Sequence, residues 1–278
     1  MSINRNLVLG FIVFGGLATA IFFLPKSVVN NKKLESPESK ADEKPKTEAQ
    51  TSDTLHAMSA EATSSLADLK KKVGSTSDLS KKAGLFAEIA TAFTKSNRYD
   101  SAGHYFEMAA QTGSNPEMIY KAGSAYYDGI AFATNPSKVE YLSEKARTLL
   151  GSIPENDPKI TEAQAKAAMT WVNSETPMKG ILKLRELAEK NPKNEFVAYQ
   201  LGMLSFQSGQ YDKAVARFEK VIELNKSNVN AYFYLAQSLQ QLGKNKEALA
   251  VVSRGLPFAK EEDTKASFQE MKRQLSEN

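Results

Sequence analysis

His56 and His104 are the only imidazoles in this chain, and there is no cysteine. Disulfides, thiolate metal sites and cysteine nucleophiles are therefore excluded. Neither histidine has a second ligand at the helical spacing that a zinc site uses. Gly243-Lys244, in "LGKNKEA", ends like a phosphate-binding loop, but no glycine stands five residues earlier. The backbone cradle that such a loop needs is missing. Glu219, Glu223 and Glu247 fall on the polar sides of amphipathic patterns, where carboxylates face solvent. No nucleophile, acid–base pair or metal set emerges, so we expect a protein that is not an enzyme and needs no cofactor.

The residues that do recur are packing residues. In steps of 34 from Thr161, Glu195 and Val229, the eighth position reads Ala168, Gly202, Ala236 and the twentieth reads Gly180, Ala214, Ala248. The twenty-fourth reads Leu184, Phe218, Val252, and the seventh Ala167, Leu201, Leu235. Small residues recur where two helices must approach, and larger apolar residues recur where they fill the space between. A helical hairpin that cannot bury its apolar face alone stacks on copies of itself, and such stacking constrains size more than identity.

This period and pattern resemble the tetratricopeptide repeat. "LGMLSFQSGQYDKAVARFEKVIELN" carries Leu201-Gly202, Gly209, Tyr211, Ala214 and Phe218, and "LAQSLQQLGKNKEALAVV" carries Leu235-Ala236, Gly243 and Ala248. Upstream, "LFAEIATAFTKSNRYDSAGHYFEMAA" has Ile89-Ala90, Tyr99, Ala102 and Phe106 at the same spacings, and Ala122-Gly123 and Tyr126 begin an irregular unit with a longer turn. The expected fold is all-α: a right-handed α-solenoid of about five helix-turn-helix repeats over 83–262. The units are 83–115, 116–156, 161–194, 195–228 and 229–262, with a capping helix at 263–278. Trp171 holds a packing position of the third unit and is expected in the core.

The N-terminal quarter is of another kind. After a leader at 1–6, residues 7–24 ("LVLGFIVFGGLATAIFFL") carry no charge. As a helix they span roughly 27 Å, about the thickness of a bilayer's hydrocarbon layer. Ala18 to Ala20 resemble a signal-peptide cleavage site, but cleavage would leave "IFFL" at the new terminus, so an uncleaved membrane anchor is the simpler reading. Arg5 precedes the span and Lys26, Lys32 and Lys33 follow it. Charge alone would keep the repeats in the cytoplasm, whereas a short leader favours export; we place them on the exported side. Residues 25–54 are rich in Lys, Glu, Ser and Pro and read as a disordered linker. A helix is expected over 55–74.

In this family the first helix of each pair lines the inner groove. By resemblance, the groove positions include Glu162, Ala165 and Met169 in the third unit. They include Phe196, Tyr199, Met203 and Phe206 in the fourth, and Phe233, Gln237, Gln240 and Gln241 in the fifth. Large apolar side chains on an open face mark contact sites, so a partner protein or peptide would make apolar contacts flanked by amide hydrogen bonds. Some family members clamp a C-terminal carboxylate with lysines and asparagines. Here Lys121 stands alone, and the resemblance does not extend to that clamp. The net charge is only +4, with bases and acids interspersed, so no nucleic-acid surface is expected. The expected function is a membrane-anchored scaffold or adaptor. The alternative is a homo-oligomer without a peptide ligand, for which Gly16 and Ala20 are spaced for close helix contact in a membrane.

Overall fold

The computed structural model describes residues 58–113, 115–172 and 174–277. The expected leader, anchor and linker, and His56, lie outside the described residues. Among the described residues no helix is long and apolar enough to cross a membrane, and no strand occurs.

The described chain forms twelve α-helices. Helix α1 (Ala60–Ser75) precedes five antiparallel pairs: α2 (Leu79–Lys95) with α3 (Tyr99–Gly113), α4 (Pro116–Gly129) with α5 (Pro136–Gly151), α6 (Ile160–Val172) with α7 (Pro177–Lys190), α8 (Glu195–Gln207) with α9 (Tyr211–Leu224), and α10 (Val229–Gln241) with α11 (Asn245–Gly255). Helix α12 (Glu262–Glu277) closes the order. Each helix packs mainly on the ones before and after it.

Local chemistry sets the starts. Asn115, Asn135, Asn194 and Asn228 each accept a backbone N–H of the first turn that follows, at 2.8–3.0 Å, which satisfies a donor the helix cannot. Pro116, Pro136 and Pro177 occupy first helical positions, where a missing N–H does no harm. The first pair begins at Leu79, four residues before the expected boundary, because Asp78 caps it by accepting from the Lys81 N–H at 3.1 Å.

Turns within the pairs repeat as well. Gly209 and Gly243 have φ of +72° and +73°, and the following residues, Gln210 and Lys244, return their N–H groups to Ser205 and Leu239 carbonyls at 2.8 and 2.9 Å. This is a left-handed helix stop that glycine adopts without strain. Asn97 fills the same slot in the first pair with φ of 55°, as asparagine can.

The core runs as a chain of small clusters. Leu66, Ile89, Phe93 and Phe106 form one, and Tyr126, Leu142 and Leu150 the next. Ala165, Leu184, Val197 and Leu201 follow. Phe218, Leu235, Val252, Phe268 and Met271 form the last, so α12 contributes its apolar side to the final pair. The small positions are needed: a Cβ on Gly202 would lie 2.8 Å from the Phe218 ring, and one on Gly180 would run into the Ala168 carbonyl oxygen.

Candidate functional site

Helix α8 is anchored at its start by two devices. Asn194 caps it, and the Glu195 carboxylate accepts from the side-chain amides of Asn225 (3.0 and 3.1 Å) and Asn228 (2.7 Å). These bonds tie α8 to the link between α9 and α10. The helix is apolar around nearly its whole circumference. One side buries Val197, Leu201 and Gly202. The other side carries Phe196, Tyr199, Met203 and Phe206, all half-buried. A helix apolar all round normally lies inside a protein; here one face is only half covered.

What backs that face is an aromatic cluster centred on Tyr234 of α10. Phe206 lies 5.4 Å from the Tyr234 ring and 5.7 Å from Tyr211. Tyr199 meets Phe218 at 5.9 Å and Tyr234 at 6.5 Å. Phe218 stacks on Tyr234 at 5.7 Å, and Phe233 stands edge-on to it at 5.8 Å while also touching Phe268 of α12. The expected groove aromatics are therefore both packed and partly open. Gln237 and Gln240 are half-buried and Gln241 is exposed. Their side-chain amides make no hydrogen bond among the described residues.

Towards the N-terminus the same face turns polar. Lys166 of α6, which is buried, donates to Ser124 Oγ at 3.1 Å and pairs with Glu162 at 3.1 Å. Its ammonium also lies over the rings of Tyr120 (5.2 Å) and Phe196 (5.7 Å). Burial pushes the Tyr120 hydroxyl well above its ordinary range, and the hydrogen bond to Glu162 adds to this. Burial alone would raise Glu162 too, but Tyr120 and Lys166 outweigh it and hold the carboxyl below its usual value. Glu162 is thus ionised at neutral pH.

The structure corrects two expectations, those for Ala165 and Trp171. Lys121 pairs with Glu117 at 3.0 Å, one turn back on the same helix. Ala165 is fully buried and belongs to the core, while Met169 is half-buried beside it. Trp171 is not a core residue either. It is half-buried, with Lys179 Nζ 3.8 Å and Arg147 Cζ 4.3 Å from its ring centroid, because small Ala167 and Ala168 leave its flank open. Lys166 and Tyr234 were missed. They stand at the same repeat position, 68 residues apart, and each reaches back to the first helix of the preceding pair. That shared offset was the available signal.

Residues 186–250, from the end of α7 into α11, match the family model described as TPR repeat. No curated protein matches the sequence. Among solved structures the chain is similar to a thermophilic TPR protein of Thermus thermophilus, at 19% identity and a TM-score of 0.51, with 68% of this chain and 98% of that one covered. It is also similar to a tetratricopeptide repeat protein of Parabacteroides merdae (16% identity, TM-score 0.47, covering 78% and 93%). A third similar structure is YrrB, a TPR protein with an unusual peptide-binding site (16%, 0.40, 75% and 97%). The Thermus likeness is one of fold: a stack of TPR-type helical pairs.

Proposed function

We propose that the protein is an interaction scaffold that holds a partner protein or peptide on the inner face of its first helices, chiefly α8 and α10, and that residues 7–24 anchor it to a membrane on the exported side. The observation that carries the reading is the half-covered apolar face of α8. Phe196, Tyr199, Met203 and Phe206 keep part of their surface in water although the neighbouring repeats are already in place. A contiguous apolar surface of this kind favours contact, and methionine beside aromatic rings suits an adaptable groove. The free amides of Gln237, Gln240 and Gln241 supply donors and acceptors for a peptide backbone. The anchor rests on the uncharged stretch 7–24 alone.

Site-specific photocrosslinking in the native cell tests this, with the reactive residue at Met203 or at Gln240. The same partner captured from both positions, and absent with the probe at exposed Glu219 of α9, supports the scaffold. Crosslinks only between copies of this chain at those positions favour homo-oligomerisation instead. Carbonate extraction tests the anchor: the full chain stays with the membrane, and a chain lacking 7–24 is released.

A further inference from the structure

A second apolar surface lies on the other side of α6. Met178 and Leu182 of α7 are 54% and 57% exposed, and residues four apart on a helix are neighbours. Leu182 borders an open cleft of about 580 Å³ between the end of α5, α6 and α7, walled by Leu150, Ile153, Ile160, Ala167 and Trp171. Gln164, Ala167, Ala168 and Trp171 recur three and four apart on α6, on the side away from Glu162 and Met169. Two features open the space. Ala167 stands where Leu201 and Leu235 stand in the later repeats, and both of those are buried. The connector from Ser152 to Lys159 also separates α5 from α6. The comparable cleft between α7, α8 and α9, about 410 Å³, is bordered instead by Arg185, Glu189, Arg217 and Lys220, and the Arg217 guanidinium donates to the Leu201 carbonyl oxygen at 2.7 Å and to the Ser205 hydroxyl.

The charges around the apolar cleft define what fits it. Glu186 is taken by Lys183 (3.2 Å) and Lys190 (2.7 Å), and Arg147 by Glu140 (2.7 Å). Glu155 lies in the field of Lys190. Lys179 has no acidic partner among the described residues; its ammonium rests on the Trp171 ring. We propose that the cleft is a docking site for a helical segment of a partner protein that presents a bulky apolar side chain with an aspartate or glutamate one turn away. The apolar side chain fills the space left by Ala167 and packs on Trp171. The carboxylate takes Lys179. Tryptophan in a partly closed apolar pocket is a common energetic centre of such contacts. This inference does not depend on the inner face of α8 being a binding site.

Trp171 is the only tryptophan in the chain, so its fluorescence reads this cleft. The probe is a displayed library of random dodecapeptides selected on the full chain, with the Leu182→Asp chain as counter-selection. Leu182 is exposed, so that variant folds. The selected peptides are expected to share an apolar residue and an acid three or four positions apart, and to shift Trp171 emission saturably. They should lose about tenfold or more in affinity on Leu182→Asp and about fivefold on Lys179→Gln. Failure to enrich over the counter-selected chain, or enrichment of peptides without acids, overturns the proposal. If selection without that counter-step yields only peptides lost on Met203→Asp and not on Leu182→Asp, they bind α8, which overturns this proposal and leaves the proposed scaffold function intact. Light scattering that finds a dimer dissociated by Leu182→Asp also overturns it, because a second copy then occupies the cleft.

Discussion

Phe206 on α8 and Leu182 on α7 are both large apolar side chains in contact with water, and they differ in what lies behind them. Phe206 leans on Tyr211 and Tyr234, and through them on the buried ring of Phe218. Leu182 stands at the lip of an open cleft with more than half its surface exposed. The inner face is therefore part of the core that also happens to be accessible, and the outer cleft is surface that the core does not use. Interlocked rings are pre-arranged, so little ordering remains to be done when a partner arrives. The same interlocking means that changing one of them disturbs the fold, whereas changes at Leu182 leave the fold alone and touch only contacts made with something else.

That contrast can be broken by measuring stability at each site. The largest effect is expected for Phe218→Ala, which empties the fully buried position beneath both Tyr199 and Tyr234. It should lower unfolding free energy in urea by about 3–5 kcal/mol. Tyr234→Ala removes the hub of the half-open face and should cost about 2 kcal/mol, while Tyr234→Phe should be nearly neutral, because the ring contacts persist. Leu182→Asp should change stability by less than about 0.5 kcal/mol. A large loss there would mean that the outer cleft is core after all.

The smallest effect concerns the polar end of the inner face. Glu162 is held below its ordinary pKa in the folded protein. A carboxyl depressed in this way stabilises the fold above its unfolded value of about 4.3, and that contribution is lost as pH falls through the lower folded value. The side chain is 38% exposed, so solvent screening limits the effect to a few tenths of a kcal/mol. Unfolding free energies of the parent chain and Glu162→Gln should differ by that amount above about pH 4.3 and converge as pH falls below the folded value.

The repeat architecture was readable because its cause is volume at fixed offsets. Gly202 against Phe218, and Gly180 against the Ala168 backbone, are close approaches that any sequence of this period must respect. What could not be read was which half-apolar positions the neighbours would cover. Trp171 sat at a packing offset, yet its exposure depends on Ala167 being small and on an eight-residue connector that no periodicity describes. Tyr234 and Lys166 were likewise hidden, because their partners lie one whole repeat away and only the stacked structure brings them together. The start at Leu79 was legible in Asp78, a capping residue whose signal the repeat pattern overrode.

The two surfaces each carry a methionine, Met203 on the inner face and Met178 on the outer. Hydroxyl-radical labelling of the full chain, compared between purified protein and native membranes, reads both at once. Met203 is expected to oxidise in the purified chain and to be sharply protected in native membranes, where the proposed partner covers α8. Equal oxidation of Met203 in the two preparations would contradict this.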